Sequence, residues 1–126
     1  SPVVGYDVAL GKNANGIFAT WLSSAPNTLP NANRVRWSYI SNTPTQESVT
    51  SENFGKPGKY LSTDGTMIAF NCEKRICAVD TSKTSPKISF VATSNNPDGI
   101  SSTWVVVNRV KYLLAGINGQ LSMLRP

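Results

Sequence analysis

Histidine is absent from this chain, and cysteine nearly so, with two residues among 126. Without an imidazole there is no Ser-His-Asp or Cys-His nucleophile and no histidine acting as general acid or base. The common catalytic zinc sites and a simple side-chain switch near neutrality are lost with it. Charge is also sparse: Asp, Glu, Lys and Arg make up 15% of residues, against about 25% in an average domain. No apolar run approaches the ~18 residues of a membrane-spanning helix. No stretch of eleven residues carries apolar groups at helical spacing without Gly or Pro interrupting it. The segment Gly55-Lys56-Pro57-Gly58-Lys59 lacks both the spacing and the following helix of a phosphate-binding loop, and no calcium loop of alternating Asp and Asn is present. Twelve Asn occur without one Asn-x-Ser/Thr sequon, which reads as a bare protein surface.

What is present is uncharged polarity and short apolar runs. Asn, Ser and Thr contribute 12, 15 and 11 residues, while 40% of the chain is hydrophobic. Runs rich in Val, Ile, Thr, Phe, Tyr and Trp at 3–10, 16–22, 34–41, 59–61, 66–72, 77–80, 87–93, 101–107, 110–115 and 120–124 sit between turn signals. Asn15-Gly16, Asp64-Gly65, Asp98-Gly99 and Asn118-Gly119 supply residues that tolerate φ > 0. The length suits one domain. The expectation is therefore an all-β single domain spanning 1–126: an antiparallel β-barrel or sandwich of roughly 8–10 short strands, closed by a C-terminal three-stranded meander. The polar segments 23–33 and 41–57 read as long loops rather than linkers, because neither flank alone could bury a core.

Side-chain alternation gives registers in three places. In Asn71-Cys72-Glu73-Lys74-Arg75-Ile76-Cys77 the two cysteines lack the partners a zinc site needs and the two-residue spacing of a redox motif. A structural Cys72–Cys77 disulfide is expected, opposed across a four-residue hairpin loop with Phe70 opposite Val79. Ile68, Phe70, Cys72, Cys77 and Val79 would then share one apolar face, and the loop would present Lys74 and Arg75. In the C-terminal meander, turns at Asn108-Arg109 and Asn118-Gly119 place Val105 opposite Tyr112 and Leu114 opposite Met123. That face, with Val107, Val110 and Leu121, reads as core. The other carries the row Trp104–Leu113–Leu124 with Val106 and Ile117, so it must be covered by another layer or serve as a partner or homodimer surface. In 34–40, Val35, Trp37 and Tyr39 share an inward face, while Arg34, Arg36 and Ser38 share the other.

The net charge of +5 is dispersed. Only Arg34-Val-Arg-Trp-Ser-Tyr39 approaches the interleaved basic and aromatic pattern of nucleic-acid binders, so nucleic acid is not the expected partner. Acidic partners such as wall polymers or anionic protein faces suit the surface better. Asp64 and Asp98 precede Gly and read as turn formers, Glu73 sits in a hairpin, and Glu47 and Glu52 lie in a loop. Asp7 and Asp80 are left as the least explained carboxylates, too little for a catalytic pair. No enzyme, cofactor or metal is expected. Candidate partner-binding residues are Trp21, Arg34, Arg36, Lys74, Arg75, Trp104, Leu113 and Leu124.

A disulfide implies an oxidising compartment. The chain opens at Ser1-Pro2 without Met or a charged-then-apolar leader, as expected where a signal peptide has been removed. Cys72 and Cys77 in their hairpin, the sequon-free Asn population and the basic Ser/Thr-rich make-up resemble small secreted fungal effector and elicitor proteins. That resemblance implies a secreted, non-enzymatic protein that acts on, or is recognised by, a host receptor, protease or cell-wall glycan. Two alternatives stand beside it. One is a protease inhibitor acting through loops 23–33, 73–76 and 94–99. The other is a carbohydrate-binding module using exposed Trp or Tyr.

Overall fold

The structure, a computed structural model, describes residues 4–24, 33–40, 48–49, 59–72, 74–94, 96 and 99–126. Eleven strands and no helix occur among them. The first sheet runs β1 (Val4–Asn13), β2 (Gly16–Ser24), β3 (Arg34–Tyr39) and β4 (Ser48–Val49) in spatial order. The second runs β5 (Lys59–Thr63), β6 (Met67–Cys72), β7 (Arg75–Asp80) and β8 (Ile88–Thr93). The third is the meander β9 (Ser102–Val107), β10 (Val110–Ile117) and β11 (Gln120–Leu124). Every pairing is antiparallel between consecutive strands. The all-β antiparallel fold and its C-terminal meander are as the sequence implies. The short strand β4 falls in the segment expected to be loop.

No sheet closes into a barrel among the described residues; the three stack face to face. Val35, Trp37, Phe18 and Leu22 of the first sheet pack on Ile68, Phe70, Cys72, Cys77 and Val79 of the second. The opposite face of the second sheet, through Ala69 and Ile76, packs on Leu113 and Ala115 of the third, with Ile100 between. The second sheet is thus the middle layer, and residues 68–72 and 76–79 are all buried.

Successive sheets meet at their first strands: β1 and β2 lie against β5, and β5 and β6 against β9. One close approach fixes the first junction. A Cβ on Gly11 would fall 2.4 Å from Gly65 N, and one on Gly65 would fall 2.5 Å from Lys12 O. Any side chain there would force the sheets apart. Asn13 Nδ2 donates to Gly65 O at 2.7 Å and to the Tyr39 hydroxyl at 2.9 Å, and Trp104 Nε1 donates to Ser62 O at 3.4 Å across the second junction.

Two registers differ in how far the sequence could specify them. The meander forms as expected: Val105 pairs Tyr112, Leu113 pairs both Trp104 and Leu124, and Leu114 pairs Met123. Asn108 (φ 50°) and Arg109 (φ 67°) both accept the left-handed conformation, as do Asn118 and Gly119, which is the type I′ geometry that two-residue hairpins favour. The cysteine hairpin departs from its expected register. Phe70 pairs Cys77, Ile68 pairs Val79 and Cys72 pairs Arg75, so the loop is shorter by two residues and the cysteines are diagonal neighbours. Their Cα atoms are 6.2 Å apart, within reach of a disulfide, so bridging does not require them to be opposite. Slipping by two keeps the same residues on the same face, and the tighter loop adds the Asn71–Ile76 and Cys72–Arg75 pairs.

Candidate functional site

The row Trp104–Leu113–Leu124 is not a surface. Leu113 is fully buried and Trp104 and Leu124 pack around it against the second sheet. The face expected to be core looks outward instead: Leu121 is 76% exposed, Met123 51% and Val107 40%, with Val105, Tyr112 and Leu114 half-buried beside them. Both faces of the meander are apolar, so alternation alone cannot say which is covered. The small Ala69 and Ala78 of the second sheet leave room for the bulkier Trp104 and Leu113.

The outward face of the first sheet mixes apolar with basic and hydroxyl side chains. Val8 pairs Trp21, which pairs Arg36, and Leu10 pairs Ala19, which pairs Ser38. Val8 and Leu10 are largely exposed and Trp21 half-buried. Arg36 Nε donates to Ser23 Oγ at 3.0 Å, and Ser23 Oγ donates to Arg34 O at 3.2 Å. Arg34 and Arg36 are half-buried, Arg36 engaged through its guanidinium and Arg34 through its backbone carbonyl, while Val35 and Trp37 point into the core as expected. Lys74 and Arg75 stand exposed at the disulfide hairpin tip, where Arg75 lies 4.4 Å from the centre of the exposed Phe90 ring, a cation–π contact. Most of loop 23–33, all of 41–47, and residues 73, 95, 97 and 98 lie outside the described residues, so the inhibitory-loop expectation falls largely on undescribed chain.

Each described carboxylate has a structural task. Asp7, at a β-bulge with φ 55°, accepts Val8 N at 3.0 Å and reaches β5 by accepting Leu61 N at 3.2 Å. Asp80 accepts Ser82 N at 3.0 Å and the Ser82 hydroxyl. Asp64 closes the β5–β6 turn by accepting Thr66 N at 3.0 Å and Met67 N at 2.8 Å, and it pairs with Lys111 of the third sheet. Burial pushes the Asp64 carboxyl up. The Lys111 hydrogen bond, the Met67 and Thr66 amides and the Lys111 charge outweigh this, so its pKa lies below the ordinary carboxylate value. Among the described residues no cluster of three or more His, Cys, Asp or Glu gathers as a metal site, and no helix is long and apolar enough to cross a membrane.

Two open clefts flank the contact between the second and third sheets. One, of about 450 Å³, opens where the Asn108–Arg109 turn meets the start of β6 and the end of β7, and it gathers Arg109, Lys111 and Arg125 beside Asp80 and Ser82. Lys111 is held by Asp64, whereas Arg109 and Arg125 are exposed and paired with no described carboxylate. Arg109 and Lys111 are two residues apart and Arg125 follows β11, whose Leu124 pairs Leu113, so the meander itself brings the three cations together, and stacking on the second sheet adds Asp80 and Ser82. The other, of about 320 Å³, is lined by Tyr60, Asn96, Ile100 and Ser101. Tyr60 stands at φ 59° in a bulge of β5, 41% exposed. A bulky residue in that conformation is strained, and only the backbone reveals it. Compared with family models, characterised proteins and solved structures, the chain matches none.

Proposed function

We propose that the protein is a non-catalytic, extracellular binding protein whose partner is an acidic polymer. This is the role that an effector-type protein would play toward a host wall or surface component. The observation carrying the reading is the cleft of Arg109, Lys111 and Arg125. Lys111 is anchored there by Asp64, while two arginines remain for bidentate contacts to carboxylate or sulfate. The engagement of Asp7, Asp64 and Asp80 in backbone hydrogen bonds favours binding over acid–base chemistry. The Cys72–Cys77 bridge favours an oxidising setting.

The test is titration calorimetry of the oxidised protein with polygalacturonate, polyglutamate and neutral dextran. Binding to one or both acidic polymers is expected, weakening as salt rises and falling about 5–30-fold in R109E/R125E, since each exposed contact contributes about 0.5–1 kcal/mol. Equal binding to dextran, or binding indifferent to both arginines, would contradict the reading. The host-directed part is tested by infiltrating the oxidised protein into leaf tissue, where defence activation is expected and silence in every plant tried would count against it. A second reading, sugar stacking at Tyr60, is favoured by its strained backbone and partly exposed ring beside Asn96 and Ser101. Dextran or glycan binding lost in Tyr60→Ala would select it.

A further inference from the structure

The first strands of the first two sheets each hold one non-glycine residue at positive φ in a bulge: Asp7 in β1 (φ 55°) and Tyr60 in β5 (φ 59°). A bulge re-aims a side chain, and each of these strands lies against the first strand of the next sheet. At the first junction the device has a visible use. Asp7 steadies its own bulge by accepting Val8 N at 3.0 Å and ties the sheets by accepting Leu61 N at 3.2 Å. Tyr60 makes no such tie at the second junction, where Trp104 Nε1 donates to Ser62 O instead. Its hydroxyl has no hydrogen-bond partner among the described residues, and it stands 41% exposed. A bulky residue is thus held in a strained conformation without a structural contact that requires it.

What Tyr60 does line is the cleft of about 320 Å³, with Ile100 and Ser101 on the segment leading into β9 and Gly116 near the end of β10. Two glycines shape it. A Cβ on Gly99 would fall 2.6 Å from Asn71 Oδ1 and 2.9 Å from Lys59 Cε, so glycine there lets the segment lie directly on the Lys59 stem. A Cβ on Gly116 would meet nothing within 4 Å, and a glycine inside a strand marks a place open to a ligand. The Lys59 ammonium lies 5.2 Å from the centre of the Tyr60 ring. No described carboxylate pairs with it, and both oxygens of Asp7 are taken by amides.

We propose that this cleft binds one pyranose ring carrying a carboxylate, a uronic acid. The apolar face of the sugar lies on the Tyr60 ring, which offers an apolar body and a polar tip. Sugar hydroxyls reach the Tyr60 and Ser101 hydroxyls, and the carboxylate meets Lys59. The volume sits at the low end of ligand pockets, about 300–1,000 Å³, which suits one ring rather than a chain. This inference rests on the sugar-stacking reading of Tyr60 and commits it to an acidic sugar; it is independent of the arginine cleft.

The experiment is an amide NMR titration of the oxidised protein with sodium galacturonate, galactose and sodium acetate at constant ionic strength. Galacturonate should shift the amides of Tyr60, Gly99, Ser101 and Gly116 and saturate in the millimolar range. Galactose should bind about 2–5-fold more weakly, the effect of one exposed ion pair, and K59Q should bring galacturonate down to that level. Acetate should bind more weakly than either sugar. Tyr60→Gly is the decisive variant, because glycine takes a φ of 59° without strain. It should melt at the same temperature as the parent or higher, while its affinity for galacturonate falls about 10-fold or more. Equal affinity for galactose would overturn the acidic commitment and leave sugar stacking standing; no shift with either sugar would overturn both. Acetate binding as tightly as galacturonate, or shifts confined to Arg109, Lys111 and Arg125, would also overturn the proposal. So would a Tyr60→Gly protein that binds like the parent, or one that melts well below it.

Discussion

The second and third sheets are written in nearly the same way and end in different surroundings. Met-Ile-Ala-Phe-Asn-Cys and Arg-Ile-Cys-Ala-Val-Asp alternate apolar residues at both parities, as do Trp-Val-Val-Val and Val-Lys-Tyr-Leu-Leu-Ala. In the second sheet both faces of the central strands β6 and β7 are inside, while Phe90 on the edge strand β8 is exposed. In the third, Leu113 is fully buried while its covalent neighbours Tyr112 and Leu114 stand half out, next to an exposed Leu121 and Met123. What separates the two is position in the stack, which local sequence does not encode. A two-sided apolar strand states how many faces need cover, but not which neighbour provides it.

Core substitutions should separate the two sheets most strongly. Phe70→Ala, with the ring fully buried between layers, is expected to cost about 3–5 kcal/mol in urea unfolding, whereas Leu121→Ala should stay within about 0.5 kcal/mol at a dilution where the chain is single. Comparable losses at both sites would erase the distinction. Ile76→Ala tests the other face of the middle layer and should cost about 2–5 kcal/mol, because Ile76 packs toward the third sheet rather than the first. Removing the disulfide as C72A/C77A should cost about 2 kcal/mol on the chain-entropy model, small because the closed loop is short; a loss far larger would mean that the bridge, not the packing, holds the middle sheet.

The smallest effect concerns the tie between these sheets. Asp64 is folded with its pKa held below the ordinary value by Lys111 and two amides despite partial burial. Its contribution is therefore present above the unfolded-state pKa of about 3.9 and is lost as pH falls through the lower folded-state value. Asp64→Asn should flatten that acid limb of the stability curve, and at neutral pH it should change stability by no more than about 1 kcal/mol, since the pair is partly exposed. An unchanged acid limb would show that other carboxylates carry it.

The strands and the meander were legible because Asn108-Arg109 and Asn118-Gly119 set hairpin registers locally and alternation carried those registers along each strand. Four things were not. The cysteine hairpin could slip by two without moving Cys72 or Phe70 to another face, so the pattern could not distinguish opposite from diagonal cysteines. The choice of inner face in the meander was invisible, because Trp104, Leu113 and Leu124 on one side match Tyr112, Leu114 and Met123 on the other. The cationic cleft forms where Arg109, Lys111 and Arg125 of the third sheet meet Asp80 and Ser82 at the end of β7, and the strain at Tyr60 is a property of backbone rather than residue type. Asp7 and Asp80, unexplained as letters, turn out to be hydrogen-bond acceptors for a bulge and a turn.

The stacked order of the sheets is tested most directly by native-state hydrogen exchange on the oxidised protein, residue by residue. The amides of 68–71 and 76–79 should open only with global unfolding, with the free energy of the whole domain, while those of 121–124 exchange through smaller local openings. Middle-sheet amides that exchange as readily as those of β11 would contradict a core built around a doubly covered second sheet.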